Sequence, residues 1–279
     1  MDIEGARIAL EEHHSSQGYR PQDQYSNVVS ADGRYLGPYI PYIGRSYFDS
    51  KPKVLIYAMA QNLARAPGIV RRWLGKSDEG LLRQYHDQAT AHVHVYPYDN
   101  GHLRVIAALT LSLYPGTAFE RTQNVDDLVA ITNFVKFSFY RESKSGTPLD
   151  ANPPRSIYDA MWKCYSSYEI ELLQPDIIIG VGNEVASALA RGIKRDGKRN
   201  IVVKIPFPGR LNLNSRWVPK GNRLITNENY DPEPVKANLA SLLAGTPDRE
   251  GVIRRAIETD WYYFREMKAC LTRKLARCA

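Results

Sequence analysis

The sequence predicts an α/β protein, a three-layer α/β/α domain around a central, mostly parallel sheet of four strands. Three observations predict it. Four short runs are apolar throughout rather than alternating: KVLIYAM at 53–59, LVAITNF at 128–134, DIIIGV at 176–181 and IVVKI at 201–205. Such runs fit strands buried on both faces. Stretches of helical periodicity separate them, and strands alternating with helices pair in parallel through right-handed crossovers. The 279 residues, 43% hydrophobic and 24% charged, suffice for one large core and argue against a disordered, collagenous or disulfide-stapled chain.

Each element has a local reason. A helix over Ile3 to His13 opens the chain, followed by a polar loop rich in Tyr, Pro and Gly up to residue 50. After the first strand, Pro67 suits the first turn of a helix through Trp73, where a missing N–H costs nothing. Further helices are expected from Glu79 to about Ala89 and from His102 to Tyr114, the latter stopped by Pro115-Gly116. The second strand leads into a polar loop at 141–155 containing Pro148 and Pro153-Pro154. An amphipathic helix from Ser156 to Leu173 precedes the third strand, and a helix from Asn183 to about Ile193 leaves it. Helices at 233–243 and 248–276 close the chain. The last of these has a core-packing stripe (Val252, Ile253, Ala256, Ile257, Trp261, Phe264) and a basic face (Arg254, Arg255, Lys268, Arg273, Lys274). With no internal repeat and no long linker, residues 1–279 read as one domain with an N-terminal extension (1–37) and a C-terminal helical extension (246–279).

Composition narrows the function classes. No run approaches the roughly 18 apolar residues of a membrane span, and with no basic stretch leading into an apolar run after Met1-Asp2-Ile3-Glu4, no secretory signal is expected. With three cysteines in a chain of this length, a reducing compartment, the cytoplasm, is expected, with no membrane partner. Thirty-seven Lys and Arg against thirty Asp and Glu give +7, a balance that suits a polyanionic partner, nucleic acid first. Eighteen tyrosines against seven phenylalanines add rings able to stack on bases. Cys164, Cys270 and Cys278 form no CxxC pair, so neither a zinc ribbon nor an iron–sulfur cluster is expected. His92 and His94, with Asp99 and His102 nearby, lack further spaced ligands, and no metal or other cofactor is predicted. Gly180-Val181-Gly182 has the start of a dinucleotide fingerprint, but its third position falls on Val185, which favours a tight turn.

In an open parallel sheet the site lies beyond the carboxyl ends of the strands, which directs attention to the segments after Met59, Asn133, Val181 and Ile205. Read in order, PYIGRSYF (41–48), KVLIYAMAQN (53–62), ITNFVKF (131–137), ELLQPDIIIGVGNEVASAL (171–189) and IPFPGRLNLN (205–214) form a set of ordered motifs. Over about residues 38–215 this set resembles the uracil-DNA glycosylase superfamily. The resemblance implies a four-stranded parallel α/β/α fold, a monomer acting on DNA, and a pyrimidine flipped into a pocket.

Residue by residue, the resemblance implies the following roles. Asn133 matches the asparagine that reads the pyrimidine edge, with Tyr57 on the first strand as a further base contact. Pro208, Gly209, Arg210 and Asn212 match the last loop, which presses on the DNA backbone. Phe207 stands in the slot where the superfamily has a histidine for the departing base. In the first loop Gln61 and Asn62 supply the polar groups available to orient water, with Asp99 as a nearby carboxylate. Lys136 and Arg141 are candidates for phosphate contacts. Uracil-specific members wall off the pyrimidine C5 with a tyrosine, whereas Asn62 and Leu63 leave room there. The expected reaction is therefore removal of a C5-substituted pyrimidine, as found in modified phage DNA, leaving an abasic site. No lysine occupies a recognised Schiff-base position, so no lyase step is expected. Two alternatives accompany this reading: a catalytically weak or inactive DNA-binding protein on the same fold, suggested by Phe207, and a plain uracil-DNA glycosylase of base-excision repair.

Overall fold

The computed structural model describes residues 2–60 (except 29, 32, 33, 36, 37 and 39), positions 103, 106, 107, 110 and 111, residues 125–205 (except 146 and 147), and positions 240, 272 and 273. Helix α1 spans Ile3–Ser16, where Asp2 caps the first turn by accepting a 2.8 Å bond from the Gly5 amide. Its buried residues, Ala6, Leu10 and His14, recur every four positions and form one stripe. A small antiparallel pair, β1 (Ser30–Ala31) and β2 (Arg34–Tyr35), follows.

The central sheet contains β3 (Tyr42–Ile43), β4 (Val54–Ala60), β5 (Val129–Val135), β8 (Ile177–Val181) and β9 (Ile201–Ile205), in the order β3-β5-β4-β8-β9. The last four run parallel, and β3 is antiparallel to β5 at one edge. The four apolar runs are thus four parallel strands, each within a residue or so of its expected ends. Every residue of β5 and β8 is buried, so the continuous apolar pattern reflects cover on both faces. Ile177, Ile178 and Ile179 are at most 1% exposed, and burying each contributes about 1.5–3 kcal/mol before conformational entropy is subtracted. At the start of the sheet, β4 and β8 are tied together: Lys53 N–H donates to Asp176 Oδ2 (2.8 Å) and Asp176 N–H to the Lys53 carbonyl (2.9 Å).

The sheet has five strands rather than the four expected, because Tyr42–Ile43 adds an antiparallel edge in a segment too short to show a period of its own. The loop expected at 141–155 contains a hairpin of β6 (Tyr140–Glu142) and β7 (Pro148–Asp150). Pro148 opens β7, a position where its missing N–H breaks no interior ladder bond. The helix expected over 156–173 is composite: a 3₁₀ turn at Arg155–Ile157, α2 (Tyr158–Met161), a π-helical turn at Trp162–Ser166, and α3 (Ser167–Leu173). Helix α4 (Asn183–Arg195) buries Val185, Ala186, Ala188, Leu189, Gly192 and Ile193 along one stripe.

Positions 103, 106, 107, 110 and 111 are helical and buried, within the helix predicted at 102–114. Helical positions 240, 272 and 273 fall within the two predicted C-terminal helices. The helices expected after Pro67 and over 79–89 lie outside the described residues. Ala6 and Leu10 of α1 belong to the same hydrophobic cluster as Tyr57, Phe134, Trp162 and Leu189, so the N-terminal helix packs into the core. No helix among the described residues is long and apolar enough to cross a membrane.

Candidate functional site

Parallel pairing delivers the ends of β5, β4, β8 and β9 (Val135, Ala60, Val181 and Ile205) to one edge of the sheet. Because β4 lies between β5 and β8, the chain leaves β4 toward one side and later returns on the other. A reversal of that kind opens a crevice at the strand ends, the usual place for a ligand in an open α/β sheet.

The turn that leaves β8 at this edge explains the glycine pair of the sequence. Gly182 has φ 97°, a conformation that favours glycine, and its N–H donates to the Ile205 carbonyl at 2.7 Å. At Gly180 a Cβ would fall 2.6 Å from the Ala186 Cα, so a side chain would push α4 off the strand. Close packing and turn geometry account for both glycines without a nucleotide.

At the same edge, Glu184 in the first turn of α4 holds the exposed Arg155. Arg155 Nε and Nη2 both donate to Glu184 Oε1, at 2.8 and 2.5 Å. The Tyr158 hydroxyl donates to Glu184 Oε2 at 3.2 Å, and burial, reinforced by Glu184, pushes its pKa above the ordinary phenol value.

The structure places the expected site residues in three different situations. Asn133 is buried at 3% exposure, two positions short of the end of β5, opposite Ala58 in the register. Arg141 stands exposed on β6. Gln61, Asn62, Asp99, Phe207, Pro208, Gly209, Arg210 and Asn212 lie outside the described residues, as do His92, His94 and His102.

Two assignments are corrected. Lys136, expected on a DNA phosphate, has no exposed surface and is bound to a buried carboxylate, so its ammonium cannot reach a backbone. Tyr57, expected against the base beside Asn133, pairs with Thr132 while Ala58 pairs with Asn133. Successive residues of a strand point to opposite faces, so Tyr57 and Asn133 face opposite sides of the sheet. The Tyr57 ring is fully buried against Phe134, and its hydroxyl is spent on Glu169.

On the Tyr57 face the structure assembles a buried polar cluster. Glu169 of α3, fully buried, is 2.5 Å from Lys136 Nζ through Oε1 and accepts the Tyr57 hydroxyl at 2.8 Å through Oε2. Lys136 Nζ also donates to Thr132 Oγ1 at 2.7 Å and lies 5.6 Å from the Tyr57 ring centre. His14 of α1 places Nε2 3.2 Å from Glu169 Oε1, with its ring edge-on to Tyr165 at 4.9 Å.

The electrostatics follow from depth and pairing. Burial raises the Glu169 carboxyl, but Lys136 and His14 outweigh it and leave the group below its ordinary pKa, hence ionised. Burial lowers the Lys136 ammonium, with Glu169 opposing. For Tyr57, burial and then the Glu169 charge push the hydroxyl well above the ordinary phenol value, so it stays a donor. The cluster is thus a closed pair of charges with neutral donors around it. Such an arrangement holds elements in register, since loss of either charge strands the other.

The sequence reading missed Glu169, His14, Thr132 and Arg155. A signal for Glu169 existed: it lies four residues after Tyr165 and four before Leu173, on the stripe of the helix that carries apolar residues. An acid on a buried stripe needs a cation, and Lys136 is one in an otherwise apolar segment. Among the described residues, no group of three or more His, Cys, Asp or Glu could hold a metal ion. No protein-family model matches the chain, and comparison with curated proteins finds no match.

Proposed function

We propose that the chain is a monofunctional DNA glycosylase that hydrolyses the N-glycosidic bond of a C5-substituted pyrimidine and leaves an abasic site. One observation carries the reading. Four parallel strands bring their carboxyl ends to one edge, with the direction of the chain reversing around β4 and Asn133 buried near the end of β5. That is where a flipped base would be read, and an amide supplies both a donor and an acceptor to a pyrimidine edge. The ordered motifs at the same strand ends point to the same chemistry.

In the proposed reaction the bond from C1′ to N1 breaks and its electron pair leaves with the base. A water oxygen then bonds C1′ of the cationic sugar, and the water's proton is released to solvent or to the departing base. A carboxamide such as Asn62 or Gln61 can orient that water, because an oxocarbenium-like carbon needs little activation of its nucleophile. Phe207 offers no hydrogen bond to the leaving base. The last loop must then stabilise it through backbone N–H groups, and lacking one such donor typically costs about 10²–10³ in rate.

The test is abasic-site formation on DNAs containing uracil, hydroxymethyluracil, hydroxymethylcytosine and glucosylated hydroxymethylcytosine, each followed by alkaline cleavage. Cleavage at a C5-substituted base is expected, with Asn133→Ala lowering kcat/KM by about tenfold or more if one good base contact of 1–3 kcal/mol is lost. Cleavage at uracil alone would assign plain uracil repair. Binding without cleavage on any substrate would establish instead the non-catalytic DNA-binding reading that Phe207 favours.

A further inference from the structure

We propose that α1 is held by a proton-operated latch: His14, docked uncharged against Glu169, lets the helix go when its second ring nitrogen takes up a proton. The argument is independent of the glycosylase reading. His14 is 2% exposed, and neither of its ring nitrogens makes a well-aligned hydrogen bond to a described residue. Nε2 is the ring nitrogen nearer Glu169, 3.2 Å from Oε1, so it carries the proton of the neutral ring and leaves Nδ1 a bare acceptor. Protonation there would create a buried donor with nothing to accept it, beside a carboxylate already satisfied by Lys136 and Tyr57. The charged and titratable groups facing His14 are Glu169 from α3, Lys136 after β5, Tyr165 from the π turn and His13 from α1 itself. Glu169 and Lys136 cancel to first order, so a third charge enters an otherwise neutral pocket.

Among the described residues, the other contacts of the helix are apolar or neutral, with Ile3 packed against the core. Ala6 and Leu10 seat in the core, His13 stacks on Tyr168 at 3.8 Å, and His13 Nε2 lies 2.9 Å from the Cys164 carbonyl oxygen. Burial lowers the proton affinity of the docked His14 ring below that of a free imidazole, with Glu169 opposing. The released helix therefore gains a proton as pH falls through about 6.5, and the docked helix does so only at lower pH. Docking is complete above that pH and weakens below it, by up to about tenfold in the opening constant for each pH unit until the docked ring also takes up a proton. Release would uncover the Lys136–Glu169 pair.

Native-state hydrogen exchange of the full chain between pH 7 and pH 5, corrected for intrinsic rates, tests the latch. The α1 amides should open progressively more often below pH 6.5, by up to about tenfold per pH unit, and at pH 5 should open more readily than those of Ile177–Ile179. His14→Gln keeps a donor for Glu169 and cannot titrate in this range, so it should abolish the dependence. His13→Gln should retain it. A pH-independent α1, the same slope in His14→Gln, or equal opening of α1 and β8 at pH 5 would overturn the proposal. If His14→Gln does not fold, NMR titration of His14 in the native chain decides. Proton uptake coinciding with loss of α1 protection supports the latch, and uptake near 6.5 with α1 still protected refutes it.

Discussion

At the scale of single residues, the Lys136–Glu169 pair sets the terms. Lys136→Met leaves the Glu169 carboxylate buried without its cation, and a loss of about 3–5 kcal/mol is expected in urea unfolding. Adding Glu169→Leu should restore part of that loss, because the stranded charge goes while the Tyr57 hydroxyl and His14 still lose their acceptor. A double variant no more stable than Lys136→Met alone would show that the pair is not the unit. The burial of Glu169 left a trace in the sequence, its place on the apolar stripe of its helix, but the choice of Lys136 as its partner did not. A lysine just after a strand reads as a loop cation, and its partner lies 33 positions on, in another element. Asn133 was legible as a strand-end amide. That Tyr57 faces away from it is fixed by the β4–β5 register, which the sequence does not contain.

At the scale of elements, two helix positions carry opposite expectations. Gln174 closes α3 in the left-handed conformation, φ 46° and ψ 54°, donating its N–H to the Ile170 carbonyl at 3.0 Å. Glycine meets that geometry without a Cβ penalty, so Gln174→Gly should stabilise the protein by about 0.5–1 kcal/mol in thermal unfolding. Gly192 is the reverse case. The Trp162 indole lies where its Cβ would be, and the ring is pinned by Nε1–H donating to Asp196 Oδ2 at 2.9 Å. Gly192→Ala should therefore cost several kcal/mol despite alanine's better helix propensity, and a neutral result would mean that Trp162 can swing aside. The parallel strands could be read from the sequence because burial on both faces leaves an unbroken apolar run. The two- and three-residue strands β3, β6 and β7 could not, since pairing partners rather than any internal period define them. The π turn at Trp162–Ser166 likewise left no mark in the periodicity.

At the scale of the whole molecule, the net charge of +7 bears on the proposed partner. If the chain neutralises even two DNA phosphates, affinity should fall about tenfold between 50 and 200 mM salt, measurable by fluorescence anisotropy on duplex and single-stranded oligonucleotides. Salt-independent binding would remove the electrostatic support for a nucleic-acid partner. Alternation of strands and helices made the parallel sheet legible, but not the order of its strands. That order follows from which faces the crossovers cover, a matter of packing between segments far apart in the chain.

The placement of β4 between its neighbours has a consequence for the chain during synthesis. Ile56 pairs with Ile131 on one side and with Ile179 on the other, so the first strand of the parallel set finds both partners only much later. At about 5–20 residues per second, β4 emerges on the order of ten seconds before β8 exists. Until β5 is made both edges of this apolar ribbon are open to other chains, and until β8 is made one edge still is. Low temperature or chaperone occupancy during expression should therefore govern the yield of this protein more than the stability of its finished fold.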